Sequence, residues 1–381
     1  MSAFSSLLGI LTAASAVYCL LCLVAAHRFM KGTRASPKLL SPPPVSILIP
    51  LCGVDFEALA NYRTFCSQDY PRYQIVFGVQ DPEDTSIPVV EELMTLFPQR
   101  DIDLVICSTA LGQNPKVSNL HNMLAKAKHE YVVIADSDVR VGPDYLQTIM
   151  GELLEGGVGL VTCPYRAAEA SGLPSRLEAL GISSEFIPGV LVAQLLEGIT
   201  FALGATMATN KETIEVIGGL PSVADHLADD YRLGNLIAQA GLEVRLSRYV
   251  VETMPAHTSF SGFLRHQLRW ARGTRMCRPM SYIGYVVAHG IPLGLLWVLC
   301  AKASLLSVTA LCCVAFARFA VAWNIGVRLL RDRTLLKFLW LLPLRDLLGF
   351  GVWCASFLGN RVEWRGKKYT VAGDGKLHPV P

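Results

Sequence analysis

The sequence predicts an α/β domain with a mostly parallel sheet, carried between an N-terminal transmembrane helix and further apolar helices at the C-terminus. Three observations lead there. Short β-rich runs alternate with helical stretches from residue 45 to 255, a long apolar run precedes them, and apolar sequence resumes after residue 281. Composition agrees: 52% of the 381 residues are hydrophobic and only 17% charged, against roughly a quarter charged in soluble domains. A net charge of +3, with no basic stripe interleaved with aromatics, argues against nucleic acid as a partner.

In chain order, Leu7–Ala26 is interrupted only by polar-neutral residues and is long enough for one helical crossing of the hydrocarbon core. No Lys or Arg precedes it, whereas His27, Arg28, Lys31, Arg34 and Lys38 follow. A cleaved signal peptide carries its charge first, so this run reads as a retained anchor. The positive-inside rule then puts the next domain in the cytosol. Pro37 and Pro42 to Pro44 mark a stiff linker, closing a first segment at residues 1–44.

Residues 45–255 form the α/β domain. Its predicted strands are Val45–Ile49, Gln74–Val79, Leu104–Ile106, Tyr131–Ala135, Gly159–Cys163 and Leu242–Leu246. Helical patterns fall between them at Phe56–Cys66, Pro88–Leu96, Asn119–Ala127 and Pro143–Leu154, with another at Tyr231–Ala240. Nearly continuous apolar strands in strand–helix–strand order imply a sheet covered on both faces. Ligands of such sheets bind at the carboxyl ends of the strands. The 11 cysteines show no metal-ligand or disulfide spacing, and Cys19 and Cys22 lie inside the apolar run, so the thiols read as small buried hydrophobes in a reducing compartment.

Residues 256–280 carry His266-Gln267-Leu268-Arg269-Trp270. On a helix Arg265, Arg269 and Arg272 share one face. With Phe260, Phe263 and Trp270 they would also suit a helix lying on an anionic membrane surface. In residues 281–360, Tyr282–Cys300 and Ser304–Trp323 read as two spans, and Arg328, Arg331, Arg333 and Lys337 mark a return to the cytosol. Phe338–Leu358 is apolar but holds Arg345 and Asp346 near its middle: an intramembrane charge pair with a function, or a re-entrant or interfacial helix. The basic tail, 361–381, favours the second, because a further span would export it.

Asp136 and Asp138 directly follow an apolar strand. Carboxylates at i and i+2 point to one side of the sheet edge, suiting a hard divalent cation that bridges a diphosphate. The alternative is a solvated acidic turn capping the next helix. Asp229-Asp230 opens a helix, where acids are common for dipole reasons alone. Gly204 and Gly218-Gly219 nearby in sequence would let a ligand approach backbone. Asp81 is a third acid at a strand end, although Glu83 and Asp84 beside it also fit a solvated loop.

The ordered set Val45–Asp55, Gln80–Asp84, Asn114-Pro115-Lys116, Asp136–Arg140, Ala228–Tyr231 and Arg269-Trp270, with Trp364-Arg365 and Tyr369 in the tail, resembles the inverting family-2-type glycosyltransferases. More narrowly it resembles the ceramide glucosyltransferases of family 21 and their bacterial hopanoid-associated relatives. The resemblance implies a GT-A-type nucleotide-sugar-binding domain, a UDP-sugar donor, a membrane-lipid acceptor (ceramide or a hopanoid) and Mg²⁺ or Mn²⁺ as cofactor. It also implies residue roles. Asp81 would contact the base side of the nucleotide, and Lys116 the ribose or phosphates. Asp136 and Asp138 would hold the donor and metal, with Asp138 the more direct ligand. Asp230 would be the base that activates the acceptor. Arg269 and Trp270 would close over donor and acceptor, with Asp229, His266 and Gln267 as accessory positions. Two departures stand out. His266 replaces the usual Gln or Arg of the motif, and Asp138 is kept where animal members often have Gly, which points to a bacterial inner membrane. The rival expectations are a processive polysaccharide synthase, which needs more spans, and an inactive membrane scaffold, which has no need of these acids.

Overall fold

The computed structural model describes residues 3–32, 39–255 and 259–380. Arg34, Pro37 and Lys38 of the expected basic linker lie outside the described residues. The α/β domain contains β1 (Val45–Pro50), β2 (Tyr73–Val79), β3 (Asp101–Ile106), β4 (Tyr131–Ala135), β5 (Val139–Arg140), β6 (Val158–Thr162), β7 (Tyr165–Ala167), β8 (Thr206–Asn210), β9 (Glu243–Leu246) and β10 (Val251–Thr253). Seven of these form the central sheet in the order β3-β2-β1-β4-β8-β6-β9. The first four run parallel, while β8 is antiparallel to both β4 and β6. β1 and β2 are buried along their whole lengths, as continuous apolar strands between two helical layers must be. Tyr62, Phe65, Phe77 and Tyr145 fill one side of the sheet, and Leu120, Met123, Ile134 and Ile237 the other.

The expected strands and helices are present with shifted ends; besides the short β5, β7 and β10 and the helix Lys211–Val216, two larger elements were not anticipated. β8 reads Thr-Met-Ala-Thr-Asn and has no apolar signature. Its hydroxyls are satisfied inside the domain: Thr206 pairs with the Tyr145 hydroxyl at 3.2 Å, and Thr209 donates to the Gly159 carbonyl at 2.7 Å. The second is a helix at Gly172–Glu197. Gly172, Pro174, Gly181, Pro188 and Gly189 weaken its sequence signal, and a π-turn at Ile182–Phe186 breaks its 3.6-residue period.

Among the described residues three helices are long and apolar enough to cross a membrane: Ala3–Lys31, Gly172–Glu197 and Leu305–Leu329. Protein buries 61% of the apolar window of the second and 28% of each of the others, so the first and third leave most of their apolar surface uncovered by protein. The span expected at Tyr282–Cys300 is bent. Pro279–Ala288 and Gly290–Cys300 meet at 65°, because His289 leaves the helical conformation just ahead of Gly290 and Pro292.

Phe338–Leu358 contains a helix of 15 residues, Leu342–Ser356, which at 1.5 Å per residue spans about 22 Å and is too short for the hydrocarbon core. Its two charges face protein. Asp346 accepts a two-pronged bond from Arg318, at 2.9 and 3.0 Å. A third Arg318 bond reaches the Ser184 carbonyl in the π-turn at 2.6 Å. Arg345 pairs with Glu185 at 2.9 Å.

The basic tail, for which the sequence suggested no secondary structure, is folded. It folds into a sheet of β11 (Arg361–Trp364), β12 (Lys367–Val371) and β13 (Leu377–Pro379). Val362, Tyr369, Val371 and Leu377 pack with Leu227 of the α/β domain. Backbone bonds from Leu377 to Asp225 and from Leu227 to Gly375 fasten it to that domain.

Candidate active site

Because β1, β2 and β4 are parallel and β1 lies between the other two, the loops leaving their carboxyl ends meet over one edge of the sheet. Asp136 and Asp138 leave β4 on that edge. Ser137 between them is buried and donates to the Asp55 carboxylate in the loop after β1. The Asp138 carbonyl accepts the Met254 N–H at 2.8 Å, tying the acidic turn to the segment after β10.

Lys116 enters from the helix Pro115–Leu124. Asn114 caps that helix by accepting the Val117 N–H at 3.1 Å, and Pro115 supplies the first-turn φ without a lost donor. The Lys116 Nζ stands 2.6 Å from Asp136 and 3.9 Å from Asp229. Burial works against its charge, but Asp136 and Asp229 outweigh that and hold its pKa above the usual lysine value.

The adjacent acids at the start of the Asp229–Gln239 helix have different surroundings. Asp229 is buried and held by the Asn114 amide at 3.3 Å as well as by Lys116. Asp230 receives the Tyr231 N–H at 2.7 Å on Oδ1, and its Oδ2 lies over Gly204. A Cβ at Gly204 would stand 2.9 Å from the Asp230 Oδ2 and 3.5 Å from the Asp136 Oδ2. The glycine thus allows two acidic sites, distant in sequence, to converge. Burial pushes Asp230 up to about 6, Asp229 adds to the rise, and Lys116 opposes it.

Asp138 is pushed well above the usual carboxylate range, first by burial and then by Asp136 and Asp55. Three crowded carboxylates suit a bound cation. Among the described residues no group of three or more His, Cys, Asp or Glu side chains forms a metal cage. A hard-oxygen pair without a full cage fits Mg²⁺ or Mn²⁺ completed by phosphate and water oxygens.

Asp81 is exposed after β2 and accepts the Glu83 N–H at 2.9 Å. Asp84 is structural: it takes the Gly53 N–H at 2.9 and 3.0 Å and the Ser86 hydroxyl at 2.6 Å, joining the loops after β1 and β2. Burial opposes its charge, yet those bonds hold its carboxyl below the usual range.

The helix Phe260–Cys277 starts at Ser259, whose side chain accepts the Gly262 N–H at 3.1 Å. Arg269 is half-buried, with Cζ 5.8 Å from the Trp364 ring. Trp270 packs against Phe186 and against the His266 ring at 4.5 Å, and His266 Nδ1 lies 3.1 Å from Glu178. Gln267 points the other way and accepts from Arg345 at 3.1 Å, away from the acids. The membrane-surface reading of the arginine face is corrected for two of its three members. Arg265 is exposed, but Arg269 and Arg272 face the C-terminal sheet, where Arg272 donates to the Arg361 carbonyl.

Two residues of the site went unassigned in the sequence. Asp55 carried a usable signal, as an acid just past an apolar strand. Glu178 carried none, since it lies on the unanticipated Gly172–Glu197 helix.

A mixed sheet of this order, with an acidic crevice at its strand ends and an Arg-Trp helix beside it, defines a GT-A-type glycosyltransferase. The same fold occurs in the mannosyltransferase PcManGT from Pyrobaculum calidifontis, solved in complex with GDP-Man and Mn²⁺, with a TM-score of 0.54, 20% identity, and coverage of 92% of this chain and 98% of that one. The chain belongs to glycosyl transferase family 21, whose description matches residues 7–377. It is similar to ceramide glucosyltransferase 3 of Caenorhabditis elegans, at 21% identity over 89% of this chain and 75% of that protein. Ceramide glucosyltransferase 1 of the same organism is 23% identical over 60% of this chain, a match that spans about half that relative (49%).

Proposed function

We propose that this glycosyltransferase moves glucose, or N-acetylglucosamine, from a UDP-sugar onto the hydroxyl of a membrane lipid with inversion at the sugar carbon. The observation that carries the reading is the contrast at Asp229-Asp230. Asp229 is tied down by Asn114 and Lys116, while the Asp230 Oδ2 opens beside Asp136 over Gly204. A lipid hydroxyl is a weak nucleophile near neutral pH, so it needs a carboxylate positioned to take its proton.

In the reaction, Asp230 accepts the hydroxyl proton as the lipid oxygen bonds the sugar C1. The bond from C1 to the β-phosphate oxygen breaks, and its electron pair leaves with UDP. Attack from the face opposite the leaving group converts an α-donor into a β-linked glycolipid. Asp138 and Asp136 are the residues that would hold Mg²⁺ or Mn²⁺, which when bound supplies positive charge at the leaving diphosphate. Lys116 and Arg269 supply protein charge at the same place. Asp81 faces the base side of the nucleotide, and Trp270, packed on Phe186 and His266, forms an apolar wall for the acceptor.

The names of the relatives support ceramide as acceptor, and a hopanoid polyol is the alternative. The apolar Ala3–Lys31 and Leu305–Leu329 helices support an acceptor that stays in the bilayer. The basic residues after the first helix support a cytosolic catalytic domain, and Asp138, where animal members often have Gly, supports a bacterial inner membrane. Purified protein in detergent, offered UDP-glucose and UDP-N-acetylglucosamine with ceramide and a hopanoid polyol in turn, should yield one glycolipid by mass spectrometry. Absence of a glycosylated lipid in all four mixtures would refute the assignment.

A further inference from the structure

The hairpin joining β11 to β12 has no part in the transfer step above, yet its tip lies over the crevice. The turn is Arg365-Gly366, with both residues at positive φ, 49° and 75°. Two-residue turns of this kind favour Asn or Gly at the first place. A long L-side chain there is held in a strained backbone conformation.

The strained residue reaches across the cleft. Arg365 Nη1 donates to the Cys52 carbonyl at 2.5 Å. Cys52 lies just past the end of β1 and beside Gly53, which Asp84 ties to the loop after β2. β1 lies between β2 and β4 in the sheet, so the loop after β1 that Arg365 binds lies between the strand ends that lead to Asp81 and to Asp136.

The hairpin is held firmly. Leu377 donates to the Asp225 carbonyl at 2.7 Å, Leu227 to Gly375 at 3.0 Å, and Arg275 to the Gly359 carbonyl at 2.9 Å. The Asp225 side chain also takes the Gln113 N–H at 2.9 Å, in the loop that leads to Lys116.

Trp364, next to Arg365, lies against Arg269. Arg269 is pushed down to about 10, by burial first and then by the Arg365 charge, and still carries its proton at neutral pH. Two converging guanidinium groups repel one another, and an anion with several oxygens placed between them reverses the sign of that interaction.

We propose that Arg365 is a donor-binding residue which, with Arg269, grips the diphosphate of the nucleotide sugar from the side opposite the aspartates. The C-terminal hairpin thereby forms a wall of the donor site. This rests on the UDP-sugar reading above.

The test is calorimetric titration of UDP and of UMP into the full chain in detergent with Mn²⁺, for wild type, Arg365→Asn and Arg365→Lys. Asparagine suits the turn, so Arg365→Asn should melt at or above the wild-type temperature. It should nevertheless bind UDP about 10- to 100-fold more weakly, the worth of a hydrogen bond to a charged group. UMP, which lacks the β-phosphate, should lose less, and Arg365→Lys should regain part of the UDP affinity. Equal UDP affinity in wild type and Arg365→Asn overturns the proposal alone. So does an Arg365→Asn variant that melts lower and loses UDP and UMP affinity in parallel, which marks a structural role. A wild type that does not bind UDP overturns the UDP-sugar assignment, and this proposal with it.

Discussion

Acidification should silence transfer through one carboxyl. Asp230 is held near 6 by burial and by Asp229, with Lys116 pulling the other way. A general base works only when ionised, so kcat/KM should fall tenfold per pH unit below that value, to about a tenth of its plateau at pH 5. Lys116→Ala removes the opposing charge and should move this limb to higher pH, while Asp230→Asn should abolish transfer at every pH. Stability should run the opposite way. A carboxyl whose pKa is raised in the folded state favours folding below its unfolded value, near 3.8, and that advantage is lost as pH rises through about 6. Asp230→Asn escapes the penalty of a buried charge. Its melting temperature should match wild type near pH 4 and exceed it above pH 7, by an energy of at most about 3 kcal/mol. Initial rates with radiolabelled UDP-sugar from pH 5 to 9, and melting in detergent over the range 4 to 8, measure both effects. A profile flat down to pH 5, or an Asp230→Asn variant that turns over normally, would refute the reasoning.

Four further outcomes are expected. EDTA should abolish transfer and Mg²⁺ or Mn²⁺ restore it, while Asp138→Ala should weaken UDP binding with metal present and barely alter it in chelator; equal loss in both conditions would point to a folding role. Gly204→Ala puts a methyl 2.9 Å from the Asp230 Oδ2, and a displacement of about half an ångström should lower kcat by about 10-fold with little change in UDP affinity; unchanged kcat would count against Asp230 as base. Asp346→Asn leaves the Arg318 guanidinium buried without its counter-charge and should cost about 3 to 5 kcal/mol in detergent melts, with Arg318→Met in the same chain restoring most of it; a single variant as stable as wild type would contradict the pairing. A cysteine introduced at Lys376, in a chain cleared of native cysteines, should resist an impermeant maleimide in intact cells, because the tail sheet is fastened to the catalytic domain; labelling there would place both on the outer face.

Sequence legibility followed the range of the interactions concerned. Strands covered on both faces must be apolar throughout, so β1, β2, β4 and β6 could be read from composition, as could the first membrane helix. Asp136 and Asp138 were legible because their meaning depends on position immediately after such a strand. β8 was hidden because its threonines are satisfied by Tyr145 and by the Gly159 carbonyl, partners brought in by other elements. The Gly172–Glu197 helix was hidden because its glycines and prolines disfavour a helix locally, and packing overrides them.

From the sequence alone came the membrane anchor, the α/β domain, and the acids and arginine of the candidate site. Those are properties of single segments, set by hydrophobic period and local charge. The tertiary structure alone decided which of Asp229 and Asp230 is tied down, since that depends on Asn114 and Lys116 reaching over from another helix. It decided that Arg345 and Asp346 are neither a bare intramembrane pair nor a surface feature. Their partners Glu185 and Arg318 come from two other helices, and no local window of sequence contains both a buried charge and the group that neutralises it. It also turned a basic tail into a sheet over the active-site edge, because a hairpin with few apolar residues becomes ordered only by packing on Leu227 and bonding to the backbone of the domain it covers.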